Sequence, residues 1–163
     1  MRKRNTFGAL AAVSLLSIAI ATSAATPAAA RVTDCGTPGD VLIGTVGDDV
    51  LIGTDFADQI DGNGGNDTID GGGGADVIRG GPGHDTITGG DCDDRLVGGP
   101  GRDALAGLAG DDEVRGGPGD DELFSGVGTD DLDGEGGTDS CSESWATDPL
   151  DIVYLTYAGP YAC

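Results

Sequence analysis

A nine-residue repeat constrains this chain more than any other feature of its sequence. The stretch from Gly71 to Thr88 consists of two successive units, GGGGADVIR and GGPGHDTIT. Each has glycine at positions one, two and four, aspartate at position six and an aliphatic residue at position eight. The same frame fits twelve units without an insertion from Cys35 to Ser142. A fixed period is typical of stacked repeat folds, whereas the glycine content alone would favour a disordered linker.

Two positions keep this register throughout. Position six is always an aspartate: Asp40, Asp49, Asp58, Asp67, Asp76, Asp85, Asp94, Asp103, Asp112, Asp121, Asp130 and Asp139. Position eight is aliphatic in every unit but the last: Leu42, Leu51, Ile60, Ile69, Ile78, Ile87, Leu96, Leu105, Val114, Leu123, Leu132 and finally Cys141. Because a disordered tract has no need to hold two residue types in phase, these positions indicate a regular array.

Each unit divides into a glycine-rich turn, positions one to six, and a short strand, positions seven to nine. In an extended triplet the middle side chain faces opposite to its neighbours, so position eight points inward. Outward Val41, Ile43, Val50 and Ile52 leave a small apolar face on the first repeats. Turn and strand in alternation predict an all-β solenoid of about six coils with two strands each. Its core is too thin to offset the entropy of ordering so much glycine.

The first thirty residues have the layout of a secretory signal peptide, predicted as a helix. A basic start precedes the apolar run Ala9 to Ile20, and small residues lead to a cleavage site after Ala30, with Ala24 or Ala25 as alternatives. We therefore expect an extracellular protein secreted by this leader. The predicted division is a signal peptide (1–30), a short lead-in (31–34), twelve repeats (35–142) and a C-terminal capping segment (143–163).

The net charge of the mature chain indicates which kinds of ligand it can attract. From Arg31 onward it keeps five arginines, no lysine and all 29 acids, a formal charge of −24. Such a chain repels nucleic acid and anionic lipid and attracts cations. Carboxylates at every ninth residue, set among turn carbonyls, supply the hard oxygen ligands that Ca²⁺ accepts in flexible geometry. Zinc would require histidine and cysteine ligands in a pattern that this sequence lacks.

The units GGGGADVIR, GGPGHDTIT, GGPGRDALA and GGPGDDELF resemble the RTX (repeats-in-toxin), haemolysin-type calcium-binding nonapeptides. The resemblance implies a right-handed parallel β-roll with each Ca²⁺ held between turns two repeats apart on the same edge. It makes every position-six aspartate a candidate ligand, together with turn carbonyls, and pairs Asp67 with Asp85 and Asp76 with Asp94. Twelve turns allow ten such pairs, hence at most about ten ions. Their charge would nearly cancel that of the chain.

Some turns depart from the family pattern. Position four holds Pro38, Phe56 and Cys92 in place of glycine, and position one holds Cys35 and Ser125. The first repeat, which contains Asp40, departs the most.

The four cysteines lie in the part of the chain expected to be exported, where disulfides form. We predict a bridge between Cys141 and Cys163 that ties the C-terminal segment to the last coil. Cys35 and Cys92 lie six repeats apart, which corresponds to about 14 Å along a regular roll. That exceeds disulfide reach unless the first repeat is displaced. We therefore expect these two cysteines to stay free or to pair between molecules.

Catalytic motifs are missing, and we predict that the protein is not an enzyme. His84, the only histidine, occupies a variable turn position and is interpreted as a solvated spacer. One histidine cannot form H-E-x-x-H, and no G-x-S-x-G is present. Residues 143–163 break the repeat and collect large side chains such as Trp145, so we expect a cap, with a partner surface as the alternative.

Two functions fit these features. The first is a secreted calcium-binding protein that is largely unfolded without calcium and folds at about 10⁻⁴–10⁻³ M Ca²⁺. The alternative is a structural or adhesion protein of the cell surface or matrix that uses calcium only as a scaffold; the apolar residues on the first repeats and the spare cysteines favour it. Besides calcium ions we expect no nucleic-acid partner and no transmembrane anchor in the mature form, and the sequence indicates no protein partner.

Overall fold

The computed structural model describes residues 35–142, and within that range it contains strands and turns but no helix. The predicted signal peptide helix and the predicted C-terminal cap lie outside these residues. The strands follow one another as β1 (Pro38–Ile43), β2 (Val50–Ile52), β3 (Ala57–Asp61), β4 (Thr68–Gly73), β5 (Val77–Arg79), β6 (Thr86–Asp91), β7 (Arg95–Val97), β8 (Ala104–Ala109), β9 (Glu113–Pro118), β10 (Glu122–Val127), β11 (Asp131–Gly136) and β12 (Ser140–Ser142).

The strands form two six-stranded parallel sheets, one from the odd-numbered and one from the even-numbered strands. Partners in neighbouring coils are eighteen residues apart, as in Ile60 with Ile78 and Leu105 with Leu123. Each coil therefore consumes two repeats, and the predicted parallel solenoid of about six coils is confirmed. Turns of odd-numbered repeats lie at one edge of the roll, the odd edge, and those of even-numbered repeats lie at the other, the even edge.

Position eight forms the core, as the alternation within each strand requires. From Ile60 to Leu132 these side chains are at most 3% exposed and form one continuous cluster. Leu42, Leu51 and Cys141 pack against this cluster but are only partly buried. They belong to the first and last coils, which have a neighbouring coil on one side only among the described residues.

The outward apolar residues of the first coil do not share one face. Val41 and Ile43 belong to β1 and are each 69% exposed, whereas Val50 and Ile52 belong to β2. Since β1 and β2 lie in different sheets, the predicted single apolar face is wrong. The apolar surface is divided between the outer faces of both sheets.

The start of the first repeat leaves the regular path. The register of β1 on β3 shifts between Pro38 and Val41. Residues 35–37, which we call the strap, run along the odd edge and cross successive coils. The Thr37 carbonyl accepts a hydrogen bond from the Ala57 N–H (2.9 Å), and the Cys35 carbonyl accepts one from the Ala75 N–H (3.3 Å).

The strap brings Cys35 to Cys92, and the two form a disulfide with a Cα–Cα distance of 5.8 Å. The expectation that these cysteines stay free or pair between molecules is therefore wrong. It assumed that Cys35 stacks below the next turn of its edge, whereas the displaced strap carries it past two coils. The predicted bridge between Cys141 and Cys163 lies outside the described residues, because Cys163 is not among them.

Candidate metal centre

The position-six aspartates stack in two columns, one along each edge. In each column the backbone N–H of one aspartate donates to Oδ1 of the aspartate eighteen residues later, as Asp67 does to Asp85 (2.8 Å) and Asp76 does to Asp94 (2.8 Å). The residues that the family resemblance pairs are thus direct neighbours. Asp76 and Asp85, nine residues apart, lie at opposite edges. From Asp58 onward, one carboxylate oxygen of each stacked aspartate therefore joins consecutive coils.

The second carboxylate oxygen, Oδ2, accepts no hydrogen bond in most of the described turns. From Asp58 to Asp130 the position-six aspartates are buried, with Asp67, Asp76 and Asp103 each 1% exposed. Within the described residues Oδ2 has no hydrogen-bond donor in the following turns: Asp67, Asp76, Asp85, Asp94, Asp103, Asp112, Asp121 and Asp139. A buried anionic oxygen without a partner is costly, so these turns favour a cation beside each of them.

Burial also raises the pKa of six of these carboxyls: Asp76, Asp85, Asp94, Asp103, Asp112 and Asp121. The pKa rises to about 6 for Asp76, Asp103 and Asp112 and to about 8 for Asp94. Loss of hydration is the main cause, and repulsion from neighbouring aspartates adds to it. The hydrogen bond from the preceding aspartate's N–H acts in the opposite direction but is the smaller effect. The roll thus holds its carboxylates where their charge is poorly stabilised without a cation.

From Gly44 to Gly98, a carbonyl oxygen of the next coil and Oδ2 of the aspartate in the same turn both lie close to the glycine at position one. A Cβ added to Gly98 would lie 2.5 Å from Oδ2 of Asp103 and 2.7 Å from the carbonyl oxygen of Gly116 in the next coil. Real Cβ atoms do not approach oxygens so closely, so this turn requires Gly98 for its lack of a side chain. The hollow beside this glycine is lined by one carboxylate oxygen and one carbonyl oxygen from consecutive coils.

This donor set fits calcium. Carboxylate and backbone carbonyl oxygens in flexible turns are the ligands that Ca²⁺ accepts. Among the described residues, no three histidine, cysteine or acidic side chains converge on one point, so a cation here would depend on carbonyls as well as carboxylates. Zinc, which prefers nitrogen and sulfur, is a poor match.

The first three repeats differ from the later ones. Asp40 is exposed, and its N–H donates to Oδ1 of Asp58. Asp49 and Asp58 each have Oδ2 bonded within their own turn, to Thr45 and Thr54 respectively. These two threonines were not among the site residues predicted from the sequence. Their signal was the presence of threonine at position two in those turns alone.

Position five carries a second column of hydrogen bonds. On the even edge the Asn66 N–H donates to Oδ1 of Asp48 (2.7 Å), the His84 N–H to Oδ1 of Asn66 (2.9 Å), and the Arg102 N–H to Nδ1 of His84 (2.8 Å). His84 therefore joins adjacent turns and is more than the solvated spacer that the sequence suggested. On the odd edge, position five is Gly39 in repeat one and Ala57 in repeat three, and neither has a side-chain acceptor for the N–H above it. The strap carbonyls accept the N–H groups of Ala57 and Ala75 instead.

A family model for the RTX calcium-binding nonapeptide repeat (4 copies) matches residues 43–78, 70–105 and 106–141. The chain belongs to this RTX repeat family. The matches cover most of the described roll and confirm the resemblance drawn from the repeat units. No curated protein and no solved structure matches the chain.

The remaining features of the described roll add little to this assignment. No helix long and apolar enough to cross a membrane occurs in residues 35–142. The RTX match together with the stacked, buried aspartates indicates a calcium-binding role.

Proposed function

We propose that this RTX protein is a secreted calcium-binding protein whose roll folds when it binds several Ca²⁺ ions through the position-six aspartates. The observation that carries the proposal is the repeated buried Oδ2 without a hydrogen-bond donor, found in turn after turn from Asp67 onward. A calcium ion beside each such oxygen supplies the missing partner. The position-one carbonyl of the next coil provides a further ligand at the same place.

Coupling to folding follows from the balance of charge and core. From repeat three to repeat eleven, each repeat buries one aliphatic side chain, such as Leu105 or Leu123, and one aspartate. Aspartates whose charge is poorly stabilised in the roll oppose folding at neutral pH, and bound divalent ions reverse this opposition. Ligands that bind only the folded state stabilise it in proportion to the logarithm of their concentration.

Circular dichroism tests the coupling directly. The mature chain in EDTA should show little β structure and should acquire it on titration with Ca²⁺, with a midpoint of about 10⁻⁴–10⁻³ M. Magnesium at the same concentration is the control, because its tighter octahedral geometry suits these turns less well. Identical folded spectra in EDTA and in calcium would contradict the proposal.

Secretion is proposed from the leader, residues 1–30, and agrees with the predominantly extracellular setting of RTX proteins. Expression of the whole chain in a secreting host, followed by N-terminal sequencing of the medium fraction, tests it. Cleavage after Ala30, Ala24 or Ala25 would support export. A full-length chain retained with the cells would contradict it.

The alternative function is a structural or adhesion protein of the cell surface or matrix. The exposed Val41, Ile43, Val50 and Ile52 favour it, because they place apolar surface on both sheets of the first coil. Light scattering separates the two functions: calcium-dependent self-association supports adhesion, whereas a monomer at all calcium concentrations supports the calcium-binding module. Val41→Thr combined with Ile43→Thr should abolish self-association if these faces carry it.

A further inference from the structure

We propose that the residue at position two of each turn decides whether that turn binds calcium, and that Thr45 and Thr54 take the place of the ion in repeats two and three. The inference rests on the proposed calcium binding and adds which turns are used. It assigns the ions to repeat four and beyond. The first coils are then held by the protein's own hydrogen bonds.

The threonine turns satisfy their aspartates internally. In repeat three, Oδ2 of Asp58 accepts hydrogen bonds from the Thr54 N–H (2.6 Å) and from Thr54 Oγ1 (3.0 Å). In repeat two, Oδ2 of Asp49 accepts the same pair from Thr45, at 2.6 and 2.9 Å. Two donors thus point at the oxygen that stands open in later turns. A cation would have to displace both of them.

Later turns have a different backbone at position two. Every position-two residue from Asn63 onward has a positive φ, as in Gly99 (113°) and Leu108 (82°). This conformation turns the N–H away from the aspartate of the same turn. The Gly99 N–H donates instead to the Gly116 carbonyl (2.9 Å), and Oδ2 of Asp103 is left without a donor.

The side chain at position two selects between these two conformations. Positive φ is readily adopted by glycine and tolerated by asparagine, but it is a strong outlier for β-branched residues. Threonine therefore keeps the turn in the conformation that directs its N–H, and its hydroxyl, at the aspartate. Burial does not distinguish the two kinds of turn, because Asp58 and Asp103 are each 1% exposed. The difference lies in the hydrogen bonds within the turn.

Calcium stoichiometry of the full chain tests the proposal through a matched pair of variants. Equilibrium dialysis at saturating calcium gives the number of ions bound per chain. Asp58→Asn should leave that number at the wild-type value, whereas Asp103→Asn should lower it by about one or two ions, because an ion lies between neighbouring turns. Equal losses in both variants would overturn the proposal.

Substitutions at Thr54 test the selecting residue itself. Thr54→Gly permits positive φ and should raise the stoichiometry by about one ion. Thr54→Val is the control: it keeps the β-branch and the N–H donor, so its stoichiometry should equal that of the wild type. A T54G chain that folds in calcium but binds no additional ion would overturn the proposal. If T54G fails to fold, the Asp58 and Asp103 pair decides. A wild-type chain that takes up no calcium would contradict the proposed function instead.

Discussion

Replacing Asp103 by asparagine should have opposite effects on the calcium-free and calcium-bound roll. Burial raises the pKa of Asp103 from 3.8 to about 6, so above that pH its charge opposes folding. Each unit of pKa corresponds to about 1.4 kcal/mol, which makes the cost about 3 kcal/mol at neutral pH. Asparagine has the same shape, carries no charge and retains an oxygen to accept the Asp85 N–H. The calcium-free roll should therefore be stabilised by up to about 3 kcal/mol.

The assay compares the two states of the same variant. In EDTA, folding is induced with trimethylamine oxide, and Asp103→Asn should require a lower osmolyte concentration than the wild type. In a calcium titration, the same variant should need more calcium to reach half-maximal β structure, because a carboxylate ligand is missing. If Asp103 served only as a structural hydrogen-bond acceptor, the variant would be neutral or destabilised in EDTA and unchanged in its calcium midpoint. That result would refute the reasoning.

Three further outcomes follow from the structure. In EDTA, lowering the pH from about 7.5 to about 5 should increase the β structure measured by circular dichroism. An acid whose pKa is raised in the folded state opposes folding once it is ionised, so stability falls as the pH rises through the folded-state pKa, which is about 8 for Asp94. A loss of β structure at the lower pH would contradict this prediction. Gly98→Ala should raise the calcium concentration at the folding midpoint and lower the free energy of unfolding by about 1–3 kcal/mol or more, because the added Cβ would overlap two oxygens. Gly136→Ala is the control: a Cβ at Gly136 meets no other atom among the described residues, so this variant should resemble the wild type in the same titration. Leu105→Ala should lower the unfolding free energy in calcium by about 2–5 kcal/mol in urea denaturation, because Leu105 is fully buried; a change below about 1 kcal/mol would show that the core is not well packed.

Much of the fold and of the candidate site could be predicted from the sequence. Position eight gave the core from Ile60 to Leu132, and position six gave the columns that include Asp67 and Asp85. Both predictions succeed for the same reason. Paired residues of neighbouring strands and stacked aspartates lie eighteen residues apart, so the repeat itself encodes which of these residues meet.

The ends of the array were harder to predict. Asp40 matches the repeat but is exposed, and the apolar residues of β1 and β2 that appeared to form one face lie on two. A coil at the end of the described roll has one stacked neighbour in place of two. The period predicts where each residue lies within a coil, but it does not predict the exposure of residues in an end coil, which lacks one stacked neighbour.

The sequence by itself determined the coil, the core row and the aspartate columns, because these depend only on the period and on residue type at a fixed position. Tertiary structure decided the disulfide between Cys35 and Cys92. The strap leaves the periodic path and crosses coils in which the N–H groups of Ala57 and Ala75 bond to its carbonyls. It also decided which aspartates keep an open oxygen. The residue type at position two distinguishes these turns, but only the structure shows the hydrogen bonds. The Thr54 N–H donates to Oδ2 of Asp58, whereas the Gly99 N–H donates to the Gly116 carbonyl.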